Sequence, residues 1–362
     1  MDRPQDIVLV SVPFVAGAGA SALAGAAPQS AATAALAGTA ACIAACVALK
    51  GRQAVLLAAM FFCLGAFCMS SAAIIPAPAG RPRAGAGPAQ AALAGLSELI
   101  AGIPFRHPET NALLRALLTG QRDLLDRGTT EAFRTAGASH LLALSGLHLG
   151  IIYLIINTLL KIIGNSPAAF AARSAASVAF CGFYTLMTGA SPSTVRAFIF
   201  ITLNETARNC PGRRSTPPGV WCTAAMLQLA FRPGVISSAG FQLSYLAMLG
   251  IFLLYPVLKN WYPRAGKGRG RFDAMRRIWE AMALTVSCQA FTAPLVWLRF
   301  HTFPRYFLLT NLLALPLAEA LMTGGVACTF LEALKIRSLF LTEATDRIAC
   351  ALTRVLTIIA SC

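Results

Sequence analysis

Apolar runs of roughly 20 residues recur along the whole chain, separated by short basic or Pro/Gly-rich breaks. A helix of that length matches the hydrocarbon core of a bilayer, and a soluble fold has no use for so many. With 57% hydrophobic residues, 12% charged residues and a mean hydropathy of +0.66, the composition excludes a soluble domain. The expected fold class is all-α: a polytopic transmembrane helix bundle of about ten or eleven spans with amphipathic surface helices.

The spans are predicted near 7–27, 31–49, 54–75, 139–160, 167–188, 191–207, 217–231, 236–256, 279–298 and 304–325, with a weaker one at 338–361. The first three form an N-terminal three-helix membrane unit, 1–75. Its Ala- and Gly-rich runs suit close helix contact in lipid, and the first of them reads as a signal anchor. A Pro/Gly-rich linker, 76–110, separates it from a larger helical region, 111–362. Between 89 and 138 apolar pairs alternate with charges. Leu113, Leu114, Leu117 and Leu118 share one helical face while Arg115, Arg122 and Arg127 fall elsewhere, the pattern of helices lying on a membrane surface. No fixed-period repeat is present.

The net charge of +16 reads first as cytoplasmic loops rather than as a nucleic-acid footprint. Lys50, Arg52, Lys161, Arg208, Arg213, Arg214, seven basic residues from Lys259 to Arg277, Lys335 and Arg337 all fall on alternate loops. The short loops opposite hold Arg232, Arg299 and Arg305, so the N-terminus is expected inside. The 76–138 segment is then external, with seven arginines partly offset by Glu98, Glu109, Asp123, Asp126 and Glu131.

Metal chemistry is not expected. The 11 cysteines lack C-x-x-C spacing, the four histidines are dispersed, and His107 and His301 read as isolated structural residues. No cofactor is expected, and no P-loop is present, so any motor is a separate protein. The stretch from Glu131 to Gly150 is the most informative, because it enters the membrane with two histidines, a serine and two glycines. Gly146 and Gly150 form a G-x-x-x-G helix-packing pair. Ser145 and His148 stand at i and i+3. A polar lining explains them better than an intramembrane serine hydrolase, since no G-x-S-x-G turn flanks the serine. Arg196, Asn204, Glu205, Gln242, Gln289, Asn311 and Glu319 add polarity to predicted spans, and Pro192, Pro294 and Pro316 with Gly189, Gly240 and Gly250 are expected to break or bend helices.

The run from His140 to Gly150, His-Leu-Leu-Ala-Leu-Ser-Gly-Leu-His-Leu-Gly, resembles the signature of the ComEC family of competence proteins. It is preceded by Leu118-Thr119-Gly120-Gln121-Arg122 and Glu131-Ala132-Phe133-Arg134. Gly189 to Ala197, Ser238 to Ala247 and Phe303 to Pro316 follow in the family's order. The resemblance implies a multi-pass channel in the bacterial cytoplasmic membrane that translocates single-stranded DNA during natural transformation, without enzyme activity. It is expected to be a short form, without the OB-like and metallo-β-lactamase-like domains of longer members. His140, Ser145, His148, Arg196, Gln242 and Asn311 are the channel-lining candidates. Arg115, Arg122, Arg127 and Arg134 are the DNA-contact candidates, and Phe241 and Tyr245 are stacking surfaces. The implied partners are single-stranded DNA, membrane lipid, and a separately encoded nuclease, DNA receptor and motor. A homo-oligomer and a truncated, non-conducting scaffold stay open as alternatives.

Overall fold

The computed structural model describes residues 4–24, 28–48, 53–74, 87–164, 166–209, 216–262, 274–301 and 306–361. The first eight helices are Pro4–Ala24 (α1), Pro28–Ala48 (α2), Gln53–Ile74 (α3), Pro88–Gly102 (α4), Pro108–Thr119 (α5), Arg127–Thr135 (α6), Ser139–Leu142 (α7) and Gly146–Leu159 (α8). They are followed by Pro167–Met187 (α9), Pro192–Asn209 (α10), Pro217–Phe231 (α11), Ala239–Leu253 (α12), Tyr255–Asn260 (α13), Ala274–Phe300 (α14), Phe307–Ala333 (α15) and Leu339–Ser361 (α16). No strand occurs among the described residues. Seven of these helices begin on proline, whose fixed φ suits the first helical position and whose missing N–H costs nothing there.

The protein is an all-α membrane protein. Among the described residues, six stretches are long and apolar enough to cross a bilayer: Ile7–Ala24, Ala54–Ser71, Gly146–Ile163, Ala239–Asn260, Met275–Phe300 and Phe307–Ala333. Other expected spans are helical but shorter, as α11 is at 15 residues, or more charged, as are α10 and α16. The expected linker, 76–110, holds a helix, α4, over Pro88–Gly102. Pro294 and Pro316 do not break their helices: α14 and α15 each run for 27 residues through them. Pro192 instead starts α10. Several residues used to infer orientation, Lys50, Arg52, Arg213, Arg214, Arg305 and most of the basic loop before α14, lie outside the described residues.

The chain forms two compact units, residues 1–83 with 198–245, and 84–197 with 246–362. In the first, α3 packs on both α1 and α2. Gly17 lies against the Phe62 backbone and Gly65 against the Phe14 carbonyl, so α1 and α3 meet backbone to backbone. Phe14, Ala18, Ala225, Leu229, Phe241 and Tyr245 form its buried apolar core.

In the second unit the apolar stripe of α5 is covered by protein. Leu113, Leu114, Leu117 and Leu118 are buried with Ile100, Phe133, Leu141 and Leu142 against Leu321 and Met322 of α15 and Leu352 and Leu356 of α16. The helices from 88 to 142 are amphipathic as the sequence pattern predicts, yet their apolar face meets α15 and α16. This shelf fixes where the chain turns into α8.

Candidate functional site

The stretch predicted as one span from 139 begins as two pieces. The short α7 ends at Leu142, Ala143 is extended, and Ser145 is the extended N-cap of α8. Ser145 and His148 therefore do not share a helix face. They form a capping box in which His148 stands where Glu or Gln is usual. The Ser145 N–H donates to His148 Nδ1 at 3.2 Å, and Ser145 Oγ lies 2.8 Å from the same nitrogen. An Nδ1 that accepts from a backbone N–H carries no proton, so the neutral ring has its proton on Nε2. His148 is 1% exposed, and its Nε2 makes no hydrogen bond of good geometry with any described residue, although the Leu141 carbonyl acts on the ring.

A second break lies beside the first. Gly189 and Ala190 both take positive φ, 86° and 49°, and turn the chain from α9 into α10. Ser191 caps α10 by accepting from the Thr194 N–H at 3.2 Å, and its Oγ reaches the Leu144 carbonyl at 3.4 Å. Gly146, the first residue of α8, faces the first turns of α10. A Cβ there would stand 3.3 Å from the Ala197 methyl and 3.6 Å from an Arg196 guanidinium nitrogen. The glycine pair thus divides: Gly146 is held in close contact, whereas a Cβ at Gly150 would meet nothing within 4 Å. Two helix N-termini, each a positive dipole end, meet beside Arg196.

The other motif stretches of this unit buttress the breaks. Gly120, at φ 78°, turns the chain after α5, and the Leu144 side chain occupies the place of its missing Cβ. Tyr184, which sequence reasoning did not single out, donates its hydroxyl to the Leu118 carbonyl at 2.5 Å. Thr310, wholly buried beside Asn311 on α15, donates to the Ala136 carbonyl at 2.7 Å. Residues 303–305 of the last motif lie outside the described residues.

The remaining candidates are scattered. His140 is exposed on α7, with Nδ1 3.2 Å from the Gly137 carbonyl. Asn311 is half-buried. Gln242 belongs to the first unit, where its Nε2 donates to the Ile236 carbonyl at 2.9 Å and its Oε1 is enclosed. Phe241 and Tyr245 are buried in that unit's core, with ring centroids 4.4 Å apart, so neither offers a free stacking face.

The four arginines also differ. Arg115 is turned inward, with Nε enclosed and a terminal nitrogen 3.4 Å from Gln121 Oε1, which also accepts from Ser97 at 2.7 Å. Arg134 pairs with Glu131 at 2.8 Å, and its guanidinium holds the Glu131 carboxyl below the usual carboxylate range. Arg122 and Arg127 are exposed and form no ion pair among the described residues.

His107, read from the sequence as isolated, is not. Its Nδ1 lies 2.7 Å from Asp346 and 3.5 Å from Cys350 Sγ, both on α16. No sequence signal connects positions this far apart.

A family model described as competence protein matches residues 117–362. The chain is 24% identical over 231 residues to ComE operon protein 3 of Bacillus subtilis (strain 168), covering 63% of this chain and 27% of that protein. It is 31% identical over 138 residues to competence protein ComA of Neisseria gonorrhoeae, covering 37% of this chain and 20% of the relative. The aligned region therefore spans about a quarter of the length of these relatives. No solved structure matches. The chain belongs to the competence protein family.

Proposed function

We propose that this chain forms part of the membrane path by which a DNA strand enters the cell, carrying single-stranded DNA inward across the cytoplasmic membrane during natural transformation. Family membership and the competence relatives support a role in DNA uptake. The observation that carries the finer reading is the meeting of the α8 and α10 N-termini beside Arg196. Backbone N–H groups at helix starts favour anions, and a guanidinium at the same place matches a phosphodiester. Irregular backbone at 143–145 and 188–191 is tolerated at membrane depth where it lines a polar path.

In this path the strand's phosphates pass the paired helix starts, and Arg122 and Arg127 on the exposed side of the shelf give it a first, sequence-independent hold. Ser145 and His148 keep the break open by capping α8, so that its first turn presents N–H groups rather than closing onto α7. The chain makes and breaks no covalent bond in this role. A separately encoded nuclease, receptor and motor complete the process.

The test is transformation frequency and membrane abundance measured together. Arg196→Gln is expected to lower transformation roughly tenfold or more at normal abundance, the size of one lost charge-assisted contact of about 1.5 to 3 kcal/mol. His148→Leu and Ser145→Ala should also block uptake. Wild-type transformation by Arg196→Gln at full abundance would remove the paired helix starts from the path.

A further inference from the structure

Outside the breaks, one cluster of metal-ligating side chains stands in the second unit. His107 is the N-cap of α5, and its side chain is 53% exposed. Asp346 and Cys350 lie one turn apart on α16, so both project toward His107. The ligand atoms of the three residues all fall within 4.8 Å of one another.

We propose that His107, Asp346 and Cys350 form a binding site for a divalent transition metal of borderline softness, zinc in the first instance, which ties the start of α5 to α16. The donor set of imidazole nitrogen, thiolate sulfur and carboxylate oxygen is one that zinc takes, with a fourth position left for water. Around a tetrahedral ion with bonds of about 2.0 to 2.3 Å, neighbouring donors stand roughly 3.3 to 3.8 Å apart. The His107 to Cys350 separation of 3.5 Å already fits. The His107 to Asp346 separation of 2.7 Å would open by roughly 0.6 Å to reach the lower end of that range, a small side-chain adjustment.

Two further features favour a cation here. Asp346 is 3% exposed, and its other oxygen accepts from the Thr110 hydroxyl at 2.6 Å, which orients the carboxylate as an outer-shell partner does. Glu109 and Asp346 both act electrostatically on the Cys350 sulfur, and Glu109 and Asp126 line the cleft that opens beside it. Among the described residues the partners of Asp346 are His107 and Thr110, and a carboxylate this buried gains from a cation beside it. The site is independent of the DNA path, and its contribution is to hold the shelf in place.

The test uses the full chain in detergent, freed of metal and titrated with cobalt(II) and then zinc(II). Wild type is expected to take up one cobalt per chain, with a thiolate-to-cobalt charge-transfer band that zinc abolishes, and to melt at a higher temperature when loaded. Cys350→Ser should lose the band, and His107→Ala should weaken binding roughly tenfold or more. In both variants metal should raise the melting temperature far less than it does in wild type. A wild type that binds no stoichiometric cobalt, or a band and melting shift that persist in both variants, would overturn the site and leave His107 and Asp346 as a hydrogen-bonded pair alone.

Discussion

In the α1–α3 seam, Gly17 and Gly65 bring one backbone onto another, with Phe62 and Phe14 contributing their main-chain atoms. In the contact between α5 and α15 the glycine plays the opposite part: Gly325 leaves room for the Leu114 side chain, and aliphatic groups from four or more helices fill the space around it. Lipid offers no hydrophobic drive for helices to associate, so the seam relies on small residues and close van der Waals approach. The shelf from 88 to 142 gathers a core of the kind water builds, and one of its faces carries charge. The two regions should therefore fail differently when cut.

The largest effect is expected in the shelf. Leu114 is wholly buried, and Leu114→Ala should destabilise the protein by about 2 to 5 kcal/mol through lost burial and a cavity. A Cβ at Gly325 would press into the Leu114 side chain, so Gly325→Ala should be tolerated better in the Leu114→Ala background than in wild type. A double-mutant cycle in thermal unfolding should find favourable coupling of about 0.5 to 3 kcal/mol. Strict additivity would mean that the two positions do not share one space.

Next comes the seam. Gly17→Ala should cost about 1 to 3 kcal/mol, because its neighbour is the Phe62 backbone, which cannot retract as a side chain can. Phe62→Ala should give no relief. Recovery in that double variant would show that the seam is built from side chains after all and would erase the contrast.

Ser145→Ala acts where the shelf ends and α8 begins. Losing the cap should cost about 0.5 to 2 kcal/mol, and Ser145→Thr, which keeps a hydroxyl, should restore most of it. If the cap also holds the break open for a strand, transformation should fall further in Ser145→Ala than the protein level does. Parallel loss of the two would reduce Ser145 to a stability element.

How much of this was legible in the sequence differs between the regions for physical reasons. The stripe of Leu113, Leu114, Leu117 and Leu118 announces a helix with one apolar face, but periodicity cannot say whether lipid or protein covers it; α15 and α16 do. The break at 143–145 is nearly silent, since Ala143 and Leu144 are good helix formers and a hydropathy window averages over three residues. Its one local signal is Ser145 followed three residues later by His148, which spacing alone presents as a shared helix face rather than a cap. Gly189 and Ser191-Pro192 mark the second break more openly, with a turn residue and an N-cap followed by proline. The approach of His107 to Asp346, 239 residues apart, leaves no local trace at all.

The smallest effect concerns the charged face of the shelf, of which α3 has no counterpart, since it carries no charged residue. Four arginines look equivalent in the sequence, but Arg115 is turned inward and Arg134 already meets Glu131, leaving Arg122 and Arg127 to face solvent. For a single strand each phosphate neutralised steepens the dependence of binding on salt by about 0.7 in log units. Arg122→Gln should therefore lower the slope by nearly that amount, and Arg134→Gln by less. The Glu131 partner adds a sign that can be checked. With its carboxyl pKa lowered by the guanidinium, Glu131 stays ionised well into the acid range, and the pair's contribution is lost only as pH falls through that lowered value. Glu131→Gln should then release Arg134 at neutral pH, raising affinity for single-stranded DNA and steepening the salt slope. Adding Arg134→Gln should cancel both changes. If Arg134→Gln alone weakens binding as much as Arg122→Gln does, the ion pair gives way to phosphate without cost, and all the exposed arginines act as one patch.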